Sequence, residues 1–166
     1  AESRKSCDSG QMTGCVTVAL LLHNGLGIAQ DDNAALGLFH KACDGGAMMA
    51  CAYLGAANSY GTGVPKDDVQ AASYYRKACA GGDPASCTAL GFAYQNGWGV
   101  TRDAVQAFGL YRKACDGGQL AGCYIVAVSY RSGEGVPRDP DEAVAFFHKA
   151  CDGGDPAACE DLKAEQ

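Results

Sequence analysis

The sequence predicts an all-α protein built as a linear array of helical hairpins. Ten cysteines recur on one 36-residue period, and the segments between them repeat the same order of residue types. Apolar residues within each segment follow helical spacing, and nothing alternates with the two-residue period of a half-buried strand. A fixed period of this length is typical of a solenoid, in which one supersecondary unit stacks on its neighbours.

The length of 166 residues predicts one domain, 1–166, in which stability accumulates from repeat to repeat. Four repeats fit the chain, with a partial repeat at each end. The four lie at approximately 15–50, 51–86, 87–122 and 123–158, and the partial repeats at 1–14 and 159–166.

Each repeat contains two predicted helices with their own start and stop signals. Asp83-Pro84 gives the first helix an N-cap and a proline at its first position, and Asp155-Pro156 does the same in a later copy. The second helix should begin near an aspartate that suits the positive helix N-terminus and end at a Gly-Gly pair. These aspartates are Asp67, Asp103 and Asp139. A Gly-x-Gly turn joins the two helices, because glycine permits a positive φ.

The cysteines form five C-x7-C pairs that flank the turn between one repeat and the next. A helical hairpin at this turn brings the two Cα atoms of a pair within disulfide reach, and other pairings would break the repeat symmetry. The predicted bonds are Cys7–Cys15, Cys43–Cys51, Cys79–Cys87, Cys115–Cys123 and Cys151–Cys159. Structural zinc is the weaker interpretation, because zinc ligands favour closer spacings such as C-x2-C. Five even pairs indicate an oxidising compartment.

Composition narrows the class of partner. The net charge of −6 argues against nucleic acid or an anionic membrane as the main partner. No run of 18 apolar residues is present, so membrane insertion is not predicted. The chain begins Ala-Glu-Ser, as expected of a mature or engineered N-terminus. We expect a monomer without a cofactor.

The pattern LGxxYxxGxGVxxDxxxAxxxYxKAC resembles the Sel-like repeat family, a relative of the tetratricopeptide repeat. The Ala-Cys ending of the second helix, with a cysteine eight positions later, is similar to the Helicobacter cysteine-rich protein subtype. The resemblance covers nearly the whole chain. It implies a right-handed superhelix of αα-hairpins, each linked by a disulfide.

For function, the resemblance implies a secreted or periplasmic protein that binds a peptide or protein in its concave groove. The alternatives are a binder or weak hydrolase of β-lactam and peptidoglycan-like ligands, and an immunity protein that neutralises a secreted toxin. If the chain is eukaryotic, the resemblance implies the mitochondrial intermembrane space. No catalytic residue is predicted, since S-x-x-K, S-D-N, K-T-G and G-x-S-x-G are all absent.

Three histidines are spread over separate repeats and form a poor metal cluster. His40 and His148 should face solvent, and His23 shares its repeat position with Ser59, Gln95 and Arg131. Any one of the three as a ligand or general base is the minority interpretation.

Binding residues should lie where the repeats differ, because packing positions are kept alike. The variable positions 52, 53, 56, 59 and 60 of the second repeat fall on one face of the first helix. Trp98 fills the middle of a Gly-x-Gly turn where another copy holds Glu134, so it should be exposed as a partner anchor. The predicted binding residues are Tyr53, Tyr60, Phe92, Gln95, Asn96, Trp98, Tyr124 and Arg131. The alternative is that Tyr53, Phe92 and Tyr124 pack between hairpins and that Trp98 folds over the neighbouring loop.

Overall fold

The computed structural model describes residues 2–164, and every regular element in that range is an α-helix. The predicted all-α class is therefore confirmed. The helices are α1 (Glu2–Asp8), α2 (Met12–Asn24), α3 (Asp32–Asp44), α4 (Met48–Tyr60), α5 (Asp68–Ala80), α6 (Pro84–Asn96), α7 (Ala104–Asp116), α8 (Leu120–Ser132), α9 (Pro140–Asp152) and α10 (Pro156–Ala164).

The chain divides into two compact units, Ala1–Gly81 and Gly82–Gln166. In the first unit, consecutive helices from α1 to α5 pack against one another. In the second unit, consecutive helices from α6 to α10 do so. Phe39 and Leu54 lie at the centre of the first core, and Tyr111, Val126 and Phe147 at the centre of the second. A single domain over 1–166 stays a prediction.

The predicted helix signals are found in place. The side chain of Asp67 accepts hydrogen bonds from the backbone N–H groups of Val69 and Gln70, and Asp103 and Asp139 cap α7 and α9 in the same way. Asp83 caps α6 ahead of its N-terminal proline. In all four Gly-x-Gly turns both glycines have a positive φ. These turns begin at Gly25, Gly61, Gly97 and Gly133.

Disulfides link the second helix of one hairpin to the first helix of the next, with Cα–Cα distances from 4.5 to 4.8 Å. The bonds that show this geometry are Cys7–Cys15, Cys43–Cys51, Cys115–Cys123 and Cys151–Cys159. Cys79 and Cys87 are both disulfide-bonded as well, in agreement with the pairing predicted for them. The cysteines are buried, except that Cys151 and Cys159 are half-buried.

Two glycines allow the helices of a hairpin to approach closely. A Cβ atom on Gly55 would lie 2.7 Å from the ring of Tyr75, and one on Gly91 would lie 2.5 Å from the ring of Tyr111. Real Cβ atoms do not come this close to a ring, so the aromatic side chain fills the space that each glycine leaves. Within residues 2–164, no helix has the length and apolar character needed to cross a membrane.

Candidate binding pocket in the N-terminal unit

An open pocket of about 350 Å³ lies among α2, α3, α4 and the turn that follows α4. Its volume falls in the range of sites that hold small ligands or single partner side chains. We call it the α2–α4 pocket. Its lining residues are His23, Asp32, Ala35, Leu36, Phe39, Tyr53, Ala56, Ala57, Tyr60, Thr62 and Gly63.

Two stacked rings form the apolar part of the pocket. Phe39 on α3 is buried, and Tyr53 on α4 lies almost parallel to it, with 4.3 Å between ring centroids. Burial raises the pKa of the Tyr53 phenol, and the negative charge of Asp32 raises it further. The phenol therefore stays protonated at physiological pH and offers the pocket a neutral O–H donor.

A histidine and an aspartate meet at the polar edge of the pocket. His23, near the C-terminal end of α2, lies with its Nδ1 atom 2.9 Å from Oδ1 of Asp32. Asp31 caps α3, so Asp32 is the first residue of the helix, where the helix dipole favours a carboxylate. An ionised carboxylate only accepts hydrogen bonds, so Nδ1–H of His23 donates to it. The side chain of Asp32 is 43% exposed and remains accessible to a ligand.

Tyr60 projects at the mouth of the pocket. It is the last residue of α4, and the next residue, Gly61, ends the helix in the left-handed conformation at φ 72°. Tyr60 is 80% exposed, the highest value among the exposed large apolar residues in the described part of the chain. A large, exposed ring beside a cavity is well placed to close over a bound group.

The same position in the C-terminal unit is closed. There the cavity measures only about 10 Å³. Phe108 takes the place of Leu36 and Tyr111 the place of Phe39, and the Tyr111 hydroxyl donates a 2.7 Å hydrogen bond to Oε1 of Gln95. The larger ring and the added hydrogen bond fill the space, so an open cavity is a property of particular residues and not of the repeat.

A second open pocket, of about 470 Å³, lies between α1, α2 and residues 28–31. No aromatic side chain is among its lining residues, all of which belong to the described part of the chain, and none of the predicted binding residues reaches it. The α2–α4 pocket is therefore the stronger candidate site.

The predicted residues of the N-terminal unit, Tyr53 and Tyr60, both line the α2–α4 pocket. Tyr53 also packs between elements, as the alternative interpretation had it, because its ring rests on Phe39. The sequence reasoning missed the partnership of His23 with Asp32. The two residues are nine positions apart in the sequence, at the end of α2 and the start of α3. A short turn between two helices brings such positions together, and this could have predicted the contact.

Three predicted residues of the C-terminal unit lie on α6 and make contacts within their own hairpin. Phe92 packs edge-on against Tyr111 and remains 39% exposed. Gln95 accepts the hydrogen bond from the Tyr111 hydroxyl, and the Asn96 side chain donates to the backbone oxygen of Phe92. Gln95 is half-buried and Asn96 exposed.

Tyr124 and Arg131 on α8 share a partner. The Tyr124 hydroxyl donates to Asp161 at 3.2 Å, and the Arg131 guanidinium lies 3.4 Å from the same carboxylate and 5.0 Å from the centre of the Phe147 ring. Both side chains thus help to hold α8 against its neighbours. Trp98 is 52% exposed, as expected of its turn position.

Together, the helices, repeats and disulfides define an all-α solenoid protein with a cavity on its first hairpins. Four Sel1 repeats match the chain, at residues 15–46, 49–83, 84–119 and 120–155. The chain belongs to the Sel1 repeat family, which confirms the resemblance seen in the sequence. No curated protein matches it significantly.

Solved structures agree with this membership. The protective antigen c5321 of uropathogenic Escherichia coli, which has an SLR fold, is 28% identical, with a TM-score of 0.93 over 97% of this chain. The chain spans only 34% of that antigen. A Sel1 repeat protein from Oxalobacter formigenes is 26% identical, with a TM-score of 0.90 over 98% of this chain and 66% of its own. Helicobacter pylori cysteine rich protein B is 31% identical, with a TM-score of 0.64 over 80% of this chain and 96% of its own.

Proposed function

We propose that the protein is a binding scaffold of the periplasm or the cell exterior that holds a protein or peptide partner through the α2–α4 pocket. The observation that carries the proposal is the exposed Tyr60 ring beside an aromatic-walled cavity of about 350 Å³. Large aromatic side chains next to a concave apolar site are typical of residues that contribute most to binding.

The disulfides support the proposed location in the periplasm or outside the cell. Disulfide bonds persist outside the cytosol, where thiols are not kept reduced. All ten cysteines are bonded, and none is free among the described residues. The periplasm and the cell exterior both meet this requirement.

Membership of the Sel1 repeat family supports the scaffold role, because solenoids bind partners along the surfaces that their stacked units create. Trp98, exposed on the C-terminal unit, is proposed as an additional anchor. No particular contact of the described residues favours β-lactam hydrolysis or toxin neutralisation, so neither is proposed.

The proposal is tested by selecting peptides from a phage-displayed library on the oxidised protein and measuring their affinity by calorimetry. Tyr60→Ala should weaken the selected peptides at least tenfold, the loss of about 1.4 kcal/mol that marks an important contact. The matched control is Val69→Ala, which removes another exposed apolar side chain, from α5 of the same unit. Equal affinity of the wild type and Tyr60→Ala would contradict the proposal.

A further inference from the structure

We infer that the α2–α4 pocket selects an extended segment in which a bulky apolar side chain stands two residues from a lysine or arginine. The inference rests on the proposed function and adds the chemistry of the partner. It follows from the apolar walls of the pocket, the acidic edge, and the closed cavity at the equivalent position of the other unit.

The apolar walls determine the first half of the pattern. Leu36 and the stacked Phe39 and Tyr53 rings surround a space larger than an alanine or valine side chain needs. A phenylalanine, tyrosine or leucine side chain would bury its apolar surface there, at roughly 25 cal/mol per Å² removed from water. Small side chains would leave the cavity partly empty and gain little.

The edge of the pocket determines the second half. Asp32 is the acidic residue among the lining side chains, and neither a lysine nor an arginine lines the pocket in the described part of the chain. The neighbouring Lys66 does not supply the missing positive charge to the pocket, because its Nζ atom lies 3.4 Å from the carboxylate of Asp68. A ligand cation is therefore favoured at this edge, and a ligand carboxylate is repelled.

The hydrogen bond from His23 leaves room for a cation. The imidazole bonds to Oδ1 of Asp32, while Oδ2 accepts only a long 3.4 Å contact from the Gln30 side chain. An ammonium or guanidinium group can displace the Gln30 amide without breaking the His23 bond. In an extended peptide, residues two positions apart point to the same side and are about 7 Å apart. That spacing lets one side chain enter the cavity while the next on that side reaches Asp32.

The two units provide the controls. Leu36→Phe introduces the ring that Phe108 places in the closed cavity, and it should fill the α2–α4 pocket. Asp32→Asn removes the acidic edge, and its matched control is Asp44→Asn, which removes an exposed carboxylate from the other end of α3, outside the pocket.

The probes are three blocked glycine- and serine-rich peptides that carry Phe-Ser-Lys, Phe-Ser-Glu or Ala-Ser-Lys, titrated into the oxidised ¹⁵N-labelled protein. The Phe-Ser-Lys peptide should shift the amide signals of Tyr53, Tyr60 and Thr62. It should bind about fivefold or more tightly than the Phe-Ser-Glu peptide, with a preference that shrinks as salt is added. The Ala-Ser-Lys peptide should produce little shift.

The variants distinguish this inference from the broader proposal. Leu36→Phe should abolish the shifts and Asp32→Asn should erase the preference for lysine, whereas Asp44→Asn should leave both unchanged. Equal binding of the lysine and glutamate peptides, or an unchanged preference in Asp32→Asn, would overturn the inference. In that case, phage-selected peptides that still depend on Tyr60 would leave the scaffold function standing. Both would fall if neither the selected nor the designed peptides shifted a pocket signal.

Discussion

At the scale of residues, three repeats place an aromatic side chain of their second helix against the end of their first helix. The first-helix residue that contacts this ring differs with the ring. Tyr75 and Tyr111 carry hydroxyls, and they are hydrogen-bonded to Ser59 and Gln95. Phe147 has no hydroxyl, and Arg131 lies over its ring instead. Gln95 and Arg131 therefore both contact an aromatic ring of their own hairpin, and a comparison of repeats in the sequence could not separate such a contact from ligand binding.

Tyr111 should make the stability of the protein sensitive to alkaline pH. Burial raises the pKa of its phenol well above the ordinary value, and the charge of Glu134 adds to the effect. Above pH 10 the unfolded tyrosine ionises while the folded one keeps its proton, so the unfolded state binds fewer protons and stability falls as pH rises. Tyr111→Phe should make this decline shallower by up to about 1.4 kcal/mol per pH unit.

The measurement for Tyr111→Phe is urea unfolding followed by circular dichroism between pH 8 and pH 11. At pH 8 the variant should be about 1 kcal/mol less stable than the wild type, because the hydrogen bond to Gln95 is lost. Identical slopes against pH for the two proteins would contradict the prediction.

Gly91 and Gly109 should respond in opposite ways to alanine. Gly91→Ala places a methyl group against the Tyr111 ring and should destabilise the protein by about 1–3 kcal/mol. Gly109 is exposed on α7 with open space around its Cα, so Gly109→Ala should stabilise by about 0.5–1 kcal/mol through helix propensity. Thermal unfolding of both variants checks the pair, and a stabilising Gly91→Ala would refute the close packing of α6 on α7.

At the scale of elements, the local signals in the sequence predicted the helices closely. Aspartate N-caps, prolines at first positions and glycine turns act within a few residues, so they can be recognised without knowledge of tertiary contacts. The α2–α4 pocket could not be predicted in the same way. The open cavity has Leu36 and Phe39 where the closed one has Phe108 and Tyr111, and all four residues fit the same apolar helical pattern.

The N-cap of α5 should be worth more than an exposed ion pair of the same unit. Asp67→Ala leaves the N–H groups of Val69 and Gln70 without their side-chain acceptor and should cost about 1 kcal/mol. Asp44→Ala removes an exposed contact with Lys77 and should cost less than about 0.5 kcal/mol. Chemical unfolding of the two variants tests the ranking, which equal losses would contradict.

At the scale of the whole molecule, the disulfides differ in their access to reductant. Cys43 and Cys51 are fully buried, whereas Cys151 and Cys159 are half-buried. Under mild reduction of the folded protein, the Cys151–Cys159 bond should open first, because attack on a disulfide requires access to a sulfur atom. Alkylation of the released thiols and peptide mapping by mass spectrometry would identify the first pair. Earlier alkylation of Cys43 and Cys51 would contradict this order.

The sequence separation of eight residues within the disulfides has a consequence for biogenesis. Ten cysteines could form hundreds of different sets of five disulfides. In this chain, however, each pair joins two cysteines that are consecutive along the sequence. When a chain enters an oxidising compartment with its N-terminus first, each disulfide can form before the next pair of cysteines arrives. Synthesis and oxidation can therefore proceed in the same direction, with little need for an isomerase to reshuffle mistakes. Acid-trapped nascent chains should contain Cys7–Cys15 ahead of Cys43–Cys51, and early bonds between distant cysteines would show that the order is not followed.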